Sequence, residues 1–232
     1  LDQAARATVP SVNPPAPPVH VCATVQTIDP DKSPAGSAAQ MWGRFLLDAN
    51  LSPDELAHLP PPSVDHPAAR LTREFARGLV AARSGSLPSA REALASVHEA
   101  REAVEAMREG KEDRNGTQRG VILEDELRAA IMAAEGKNVE AVALLRQAAA
   151  AEESLPMAFG PPFVDKPAHE LLGEVLLEMG RPAEARVAFE TAVARAPNRT
   201  RSVDGLHRCA AATPGNLSVP AGGQAGATTP GR

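Results

Sequence analysis

Within the stretch Lys166–Arg199, residues His169, Leu172, Gly173, Leu176, Gly180, Ala185, Phe189, Ala192 and Pro197 fall at the offsets of two antiparallel helices joined by a tight turn. That spacing leaves few folds open. Gly173 and Ala185 are small where the helices must come closest, and Leu172, Leu176 and Phe189 are large enough to fill the space between them. Gly180 suits the turn, and Pro197 ends the second helix because its nitrogen has no hydrogen to donate.

The register recurs upstream. Ile122–Leu155 places Ala129, Met132, Gly136, Ala141, Leu145 and Ala148 at the same offsets, with Arg128 in the apolar slot of Leu172. A further copy, Leu71–Val104, supplies Gly78, Ala81, Gly85, Ala90, Leu94 and Val97. Three copies in one register identify a repeat protein, and the unit resembles the tetratricopeptide repeat. The run Gly160–Ala185 resembles the C-terminal part of larger bacterial tetratricopeptide-repeat proteins.

The resemblance implies an all-α, tetratricopeptide-like α-solenoid of antiparallel helix pairs. The first helix of each pair would line a concave groove that binds a peptide or a partner protein, with no chemistry of its own. Carried over residue by residue, the groove positions are Thr72, Phe75, Leu79 and Arg83; then Leu123, Glu126, Ala130 and Ala134; then Glu170, Glu174 and Glu178. Family members that clamp a terminal carboxylate do so with Lys, Arg and Asn. Here Phe75, Leu79, Glu126, Ala130, Glu170 and Glu174 hold the matching places, so that clamp is missing.

Composition agrees with helices. The chain has 232 residues, no Tyr and 3% aromatic residues, and its middle is rich in Ala, which favours helix packing over sheet. A net charge of −5 and the absence of a basic stripe disfavour nucleic acid, which needs cations to displace phosphate counterions. No apolar run reaches bilayer length, and Cys22 and Cys209, at opposite ends, indicate no disulfide framework. The chain begins at Leu1, as a processed or truncated fragment would, and either the bacterial cytoplasm or export fits it.

Segments 1–36 and 213–232 read as a Pro-rich linker or extended arm and a disordered tail, and 37–212 as the repeat domain. Val19–Ile28 has the alternation of a strand. Residues 37–65 are expected to form a degenerate helix pair covering the apolar side of Leu71–Val104, with Trp42 and Phe45 in its core and Ser52 and Glu55 in a capping box. Further helices are expected over Pro67–Ser84, Pro88–Arg108, Gly120–Glu135, Asn138–Glu153, Lys166–Met179, Pro182–Ala196 and Arg199–Ala212. Gly110–Thr117 reads as an exposed loop, and Pro156–Asp165 as an apolar insertion whose Phe159 and Phe163 either pack inward or anchor a partner.

Three groove residues stand out. Glu170, Glu174 and Glu178 recur every fourth position as a like-charge ladder on one helix face. Such a ladder is either a solvated face with Lys166 and Arg181 nearby or an acidic wall selecting a basic segment. The acidic trio Glu124, Asp125 and Glu126 fits a helix start, and His169 stands where the repeat places an aromatic ring, so a packed, hydrogen-bonded imidazole is expected. His20 and Cys22 make only half a zinc site, and no phosphate loop, nucleophile elbow or H-E-x-x-H occurs. The expectation is therefore no enzyme, no cofactor, no metal, and a protein or peptide partner that is basic if the acidic wall operates. The alternative is a structural C-terminal scaffold of a larger exported or enzymatic protein, with no groove ligand.

Overall fold

A computed structural model of the chain describes residues 41–212, apart from 44, 50, 51, 53, 56, 57, 60–65, 109–113, 156–164 and 198. The Pro-rich segment, Val19–Ile28, the C-terminal tail, and Phe159 and Phe163 of the insertion therefore lie outside the described residues.

From Pro67 on, the described residues form seven consecutive helices: α1 Pro67–Arg83, α2 Leu87–Arg108, α3 Arg114–Ala134, α4 Asn138–Glu153, α5 Ala168–Glu178, α6 Pro182–Arg195 and α7 Thr200–Ala212. Helices α1 and α2, α3 and α4, and α5 and α6 form hairpins, and each hairpin packs on the next. Helices α1, α3, α5 and α7 also touch in series, so they line one face of an all-α solenoid while α2, α4 and α6 form the other.

The hairpins repeat because their turns do. Gly85, Gly136 and Gly180 have φ of 78°, 78° and 69°, the left-handed region that penalises a Cβ. At each turn two backbone N–H groups reach back to close the preceding helix, as Ser86 to Ala81 and Gly85 to Ala82 do after α1. The small positions behave as their spacing requires, with Ala90, Ala141 and Ala185 fully buried against the first helix of their pair. Leu145, Leu172, Leu176 and Phe189 are core residues as their repeat positions require, and Phe75 and Leu127 are buried with them.

The structure corrects three expectations. Helix α3 begins at Arg114 instead of Gly120, because tertiary contacts hold its first turns: Gln118 donates to Ser154 Oγ (3.0 Å), and the Arg119 guanidinium is buried against Asp165 and Thr72. The trio Glu124, Asp125 and Glu126 is consequently mid-helix, where Glu124 accepts from Arg101 and Arg128 in place of a role at the helix start. Phe45, expected in the core, is 53% exposed.

Residues 41–49 form, in their described positions, a short helix, while most of the rest of the expected pair lies outside the described residues. Gly43 lies against Thr72 of α1, while Asp48 pairs with Arg199 and Arg201 at the start of α7. A segment that touches both the first and the last helix of the α1, α3, α5, α7 row runs across the concave face. The Ser52–Glu55 capping box does form, with Ser52 N donating to Glu55 Oε2 at 2.8 Å and Glu55 N to Ser52 Oγ at 3.3 Å.

Candidate functional site

Three helices present the groove positions. Phe75 and Leu79 from α1 and Leu123 and Glu126 from α3 are fully buried, Glu170 from α5 is fully buried, and Glu174 is 9% exposed. The 41–48 helix adds to this buried interior, since Leu46 and Leu47, each 1% exposed, belong to the same apolar cluster as Phe75, Leu79 and Leu123. Burial of two Leu side chains contributes on the order of 1.5–3 kcal/mol each toward seating the helix. Phe75, Leu79, Leu123, Glu126 and Glu170 are thus buried and are not, as the resemblance implies, surface available to a ligand.

The glutamate ladder is likewise not an acidic wall. Lys166 Nζ, itself buried, donates to Glu170 Oε1 at 2.8 Å and to Glu174 Oε1 at 2.7 Å, using the i, i+4 and i, i+8 spacing of one helix face. Glu170 also accepts from Arg199 Nε (2.7 Å) and Ser202 Oγ (2.5 Å), and Glu174 from Arg83 Nη2 (2.5 Å) and Arg201 Nη1 (3.4 Å). Burial alone would raise the Glu170 carboxyl, but Lys166 and Arg199 outweigh it and hold the group at about 2. Burial also opposes Lys166 and Arg83 at Glu174, whose carboxyl still ends below its ordinary value. Only Glu178 of the ladder is exposed, and Arg181 turns away to pair with Glu184.

Glu126 is the exception to this pairing. Both of its oxygens are buried without a hydrogen-bond partner. Burial pushes its carboxyl well above the ordinary range, and repulsion from Glu152, Asp165 and Glu170 adds to that while Lys166 opposes it. Its surroundings thus favour the neutral form of Glu126 over the ionised one.

Beyond the covered strip the groove stays open toward the C-terminal ends of α1, α3 and α5. A cleft of 220 Å³ lies there, walled by Ala82, Ala130, Ala133, Ala134, Leu171 and Val175 and rimmed by Arg83, Glu174 and Glu178. Its alanines leave room for an inserted side chain. The cleft therefore joins Arg83, Ala130, Ala134, Glu174 and Glu178 of the expected groove positions, while Phe75, Leu79, Glu126 and Glu170 are fully buried.

Sequence reasoning did not find Asp48, Arg199, Arg201, Arg119 or Asp165 as groove residues. Only Lys166 carried a local signal, its position four residues before Glu170. The others meet across the groove from segments far apart in the chain. His169 behaves as a packed imidazole, its Nε2 2.7 Å from Glu153 Oε1. The N-terminus of α5 has no side-chain cap of its own, and Glu152 of α4 accepts from Ala168 N (2.7 Å) instead, fixing α5 to the preceding hairpin.

None of the described helices is long and apolar enough to cross a membrane. The family model described as tetratricopeptide repeat matches residues 132–208, from the last turn of α3 into α7. No curated protein and no solved structure matches the chain.

Proposed function

We propose that this chain, a tetratricopeptide-repeat protein, is a protein-interaction module whose concave face accepts a helical segment of a partner, with the open cleft taking an anchoring side chain. One observation carries the reading: the groove already holds a helix from elsewhere in the chain, with its apolar pair buried and its end clamped by arginines. A row of small residues beside charged rims matches a helix-in-groove mode of recognition. The exposed cations and carboxylates around the cleft would set orientation and rate of encounter more than affinity.

The same observation also favours a second reading, a scaffold in which the groove is permanently filled and has no external ligand. Ala134→Trp separates the two, since Ala134 is exposed on the cleft wall and a Trp there fills the cleft from its solvent side. Helical peptides screened by fluorescence anisotropy should include binders whose capture is lost in the variant while its circular dichroism is unchanged. Absence of any variant-sensitive binder supports the scaffold.

A further inference from the structure

We infer that the 41–48 helix is a displaceable occupant of the groove, and that the partner displacing it is a helix carrying two adjacent large apolar side chains followed by a carboxylate. This rests on the reading of the groove as a partner-binding site and names the chemistry of the partner. Leu46 and Leu47 define the apolar requirement, because both are buried in the apolar cluster that also takes in Phe75, Leu79 and Leu123.

Asp48 defines the rest. Arg199 Nη2 donates to its Oδ1 at 3.0 Å, and Arg201 Nη2 donates to its backbone carbonyl at 3.3 Å. Two guanidinium groups thus meet both a carboxylate and the C-terminal end of a helix, where the dipole is negative. Arg199 and Arg201 are at the same time tied to Glu170 and Glu174, so the clamp stays positioned whether or not Asp48 is present.

The occupant is held by one face only. Its outer side exposes Met41 (66%) and Phe45 (53%), one helical turn apart, so the segment is apolar on both faces and leaves the groove without becoming a polar helix turned inside out. Its seating is also exacting. A Cβ at Gly43 would lie 2.1 Å from Thr72 Cγ2, so a side chain there lifts the helix while every groove residue stays intact. A covalently tethered occupant competes at high effective concentration, so a partner meets a groove whose apparent affinity is reduced by the fraction of chains that are closed.

The test uses the full chain and a labelled peptide of residues 37–50. Trp42 is the only tryptophan, so its emission reports directly on release of the helix. Gly43→Leu should shift Trp42 emission to longer wavelength and raise affinity for the peptide at least about tenfold over wild type. Asp48→Lys in the chain, a second route to release that leaves the apolar floor untouched, should act in the same direction. A peptide carrying Asp48→Lys should bind the released chains at least about tenfold more weakly than the native peptide. Equal peptide affinity in wild type and both variants overturns the gating and leaves the groove reading standing. Unchanged Trp42 emission in both variants overturns the seating described above, and released chains that bind no peptide overturn both readings.

Discussion

Gly205→Ala should destabilise this protein, although a glycine-to-alanine change inside a helix ordinarily stabilises by about 0.5–1 kcal/mol. Gly205 lies in α7, and a Cβ there would sit 2.4 Å from Phe189 Cε1. On the opposite edge of the same ring, a Cβ at Gly173 of α5 would sit 2.8 Å from Cε2. The fully buried ring is thus wedged between two helices and cannot swing from one without meeting the other. Overpacking of this kind costs about 1–3 kcal/mol, and because the 2.4 Å contact puts Gly205 at the upper part of that range it outweighs the helix-propensity gain by up to about 2 kcal/mol. Phe189→Ala should cost about 3–5 kcal/mol on its own. With the ring gone the clash goes too, so in that background Gly205→Ala should become stabilising, a coupling of about 2 kcal/mol between the two sites. Urea unfolding of the four proteins, followed by far-ultraviolet circular dichroism, measures the cycle. Equal effects of Gly205→Ala in both backgrounds, or stabilisation in the wild-type background, would refute the wedge and with it the packing of α7 on α6.

Replacing Glu170 and Glu174 together by Gln should cost about 3–5 kcal/mol, because Lys166 is buried and would lose both carboxylates; a neutral result in urea unfolding would show that Lys166 finds water instead. That direction is opposite to the slight stabilisation a solvent-exposed ladder of like charges would predict. Glu170 also sets an acid limit: its carboxyl is held at about 2 against an ordinary 4.5, so its stabilisation is present above 4.5 and lost as pH falls from there through 2. In Glu170→Gln, melting temperature should vary less over that range. Glu126 runs the other way, since its folded-state carboxyl lies well above 4.5 and the unfolded chain ionises first as pH rises past that value. Glu126→Gln should therefore be more stable than wild type at neutral pH, with the difference vanishing below 4.5; a variant less stable at neutral pH would mean that Glu126 is ionised and paired.

The repeat positions were legible because each is dictated locally. Gly85, Gly136 and Gly180 mark turns that need positive φ, and Ala90, Ala141 and Ala185 mark close approaches within a hairpin, so spacing alone placed the helices to within a few residues over most of the chain. One local reading failed where distant contacts supplied the energy. The start of α3 follows from Arg119 and Gln118 meeting residues of α1, α4 and the segment before α5, and no pattern within 114–120 encodes those partners.

The groove divides along the same line. From the sequence came the identity of the residues on its floor, since position within a repeat fixes which face of the first helix each one occupies. Their state came from tertiary structure alone. A ladder such as Glu170, Glu174 and Glu178 reads as negative charge until Arg83, Arg199 and Arg201 arrive from other helices and Lys166 is sealed beneath them. Residues 41–48 carry Met41, Trp42, Phe45, Leu46 and Leu47, so their pattern promised a buried helix and could not say against which surface. That choice belonged to the assembled solenoid, whose concave face offers an apolar strip for Leu46 and Leu47 and two arginines for Asp48, a combination that exists only after α1, α3, α5 and α7 have come together.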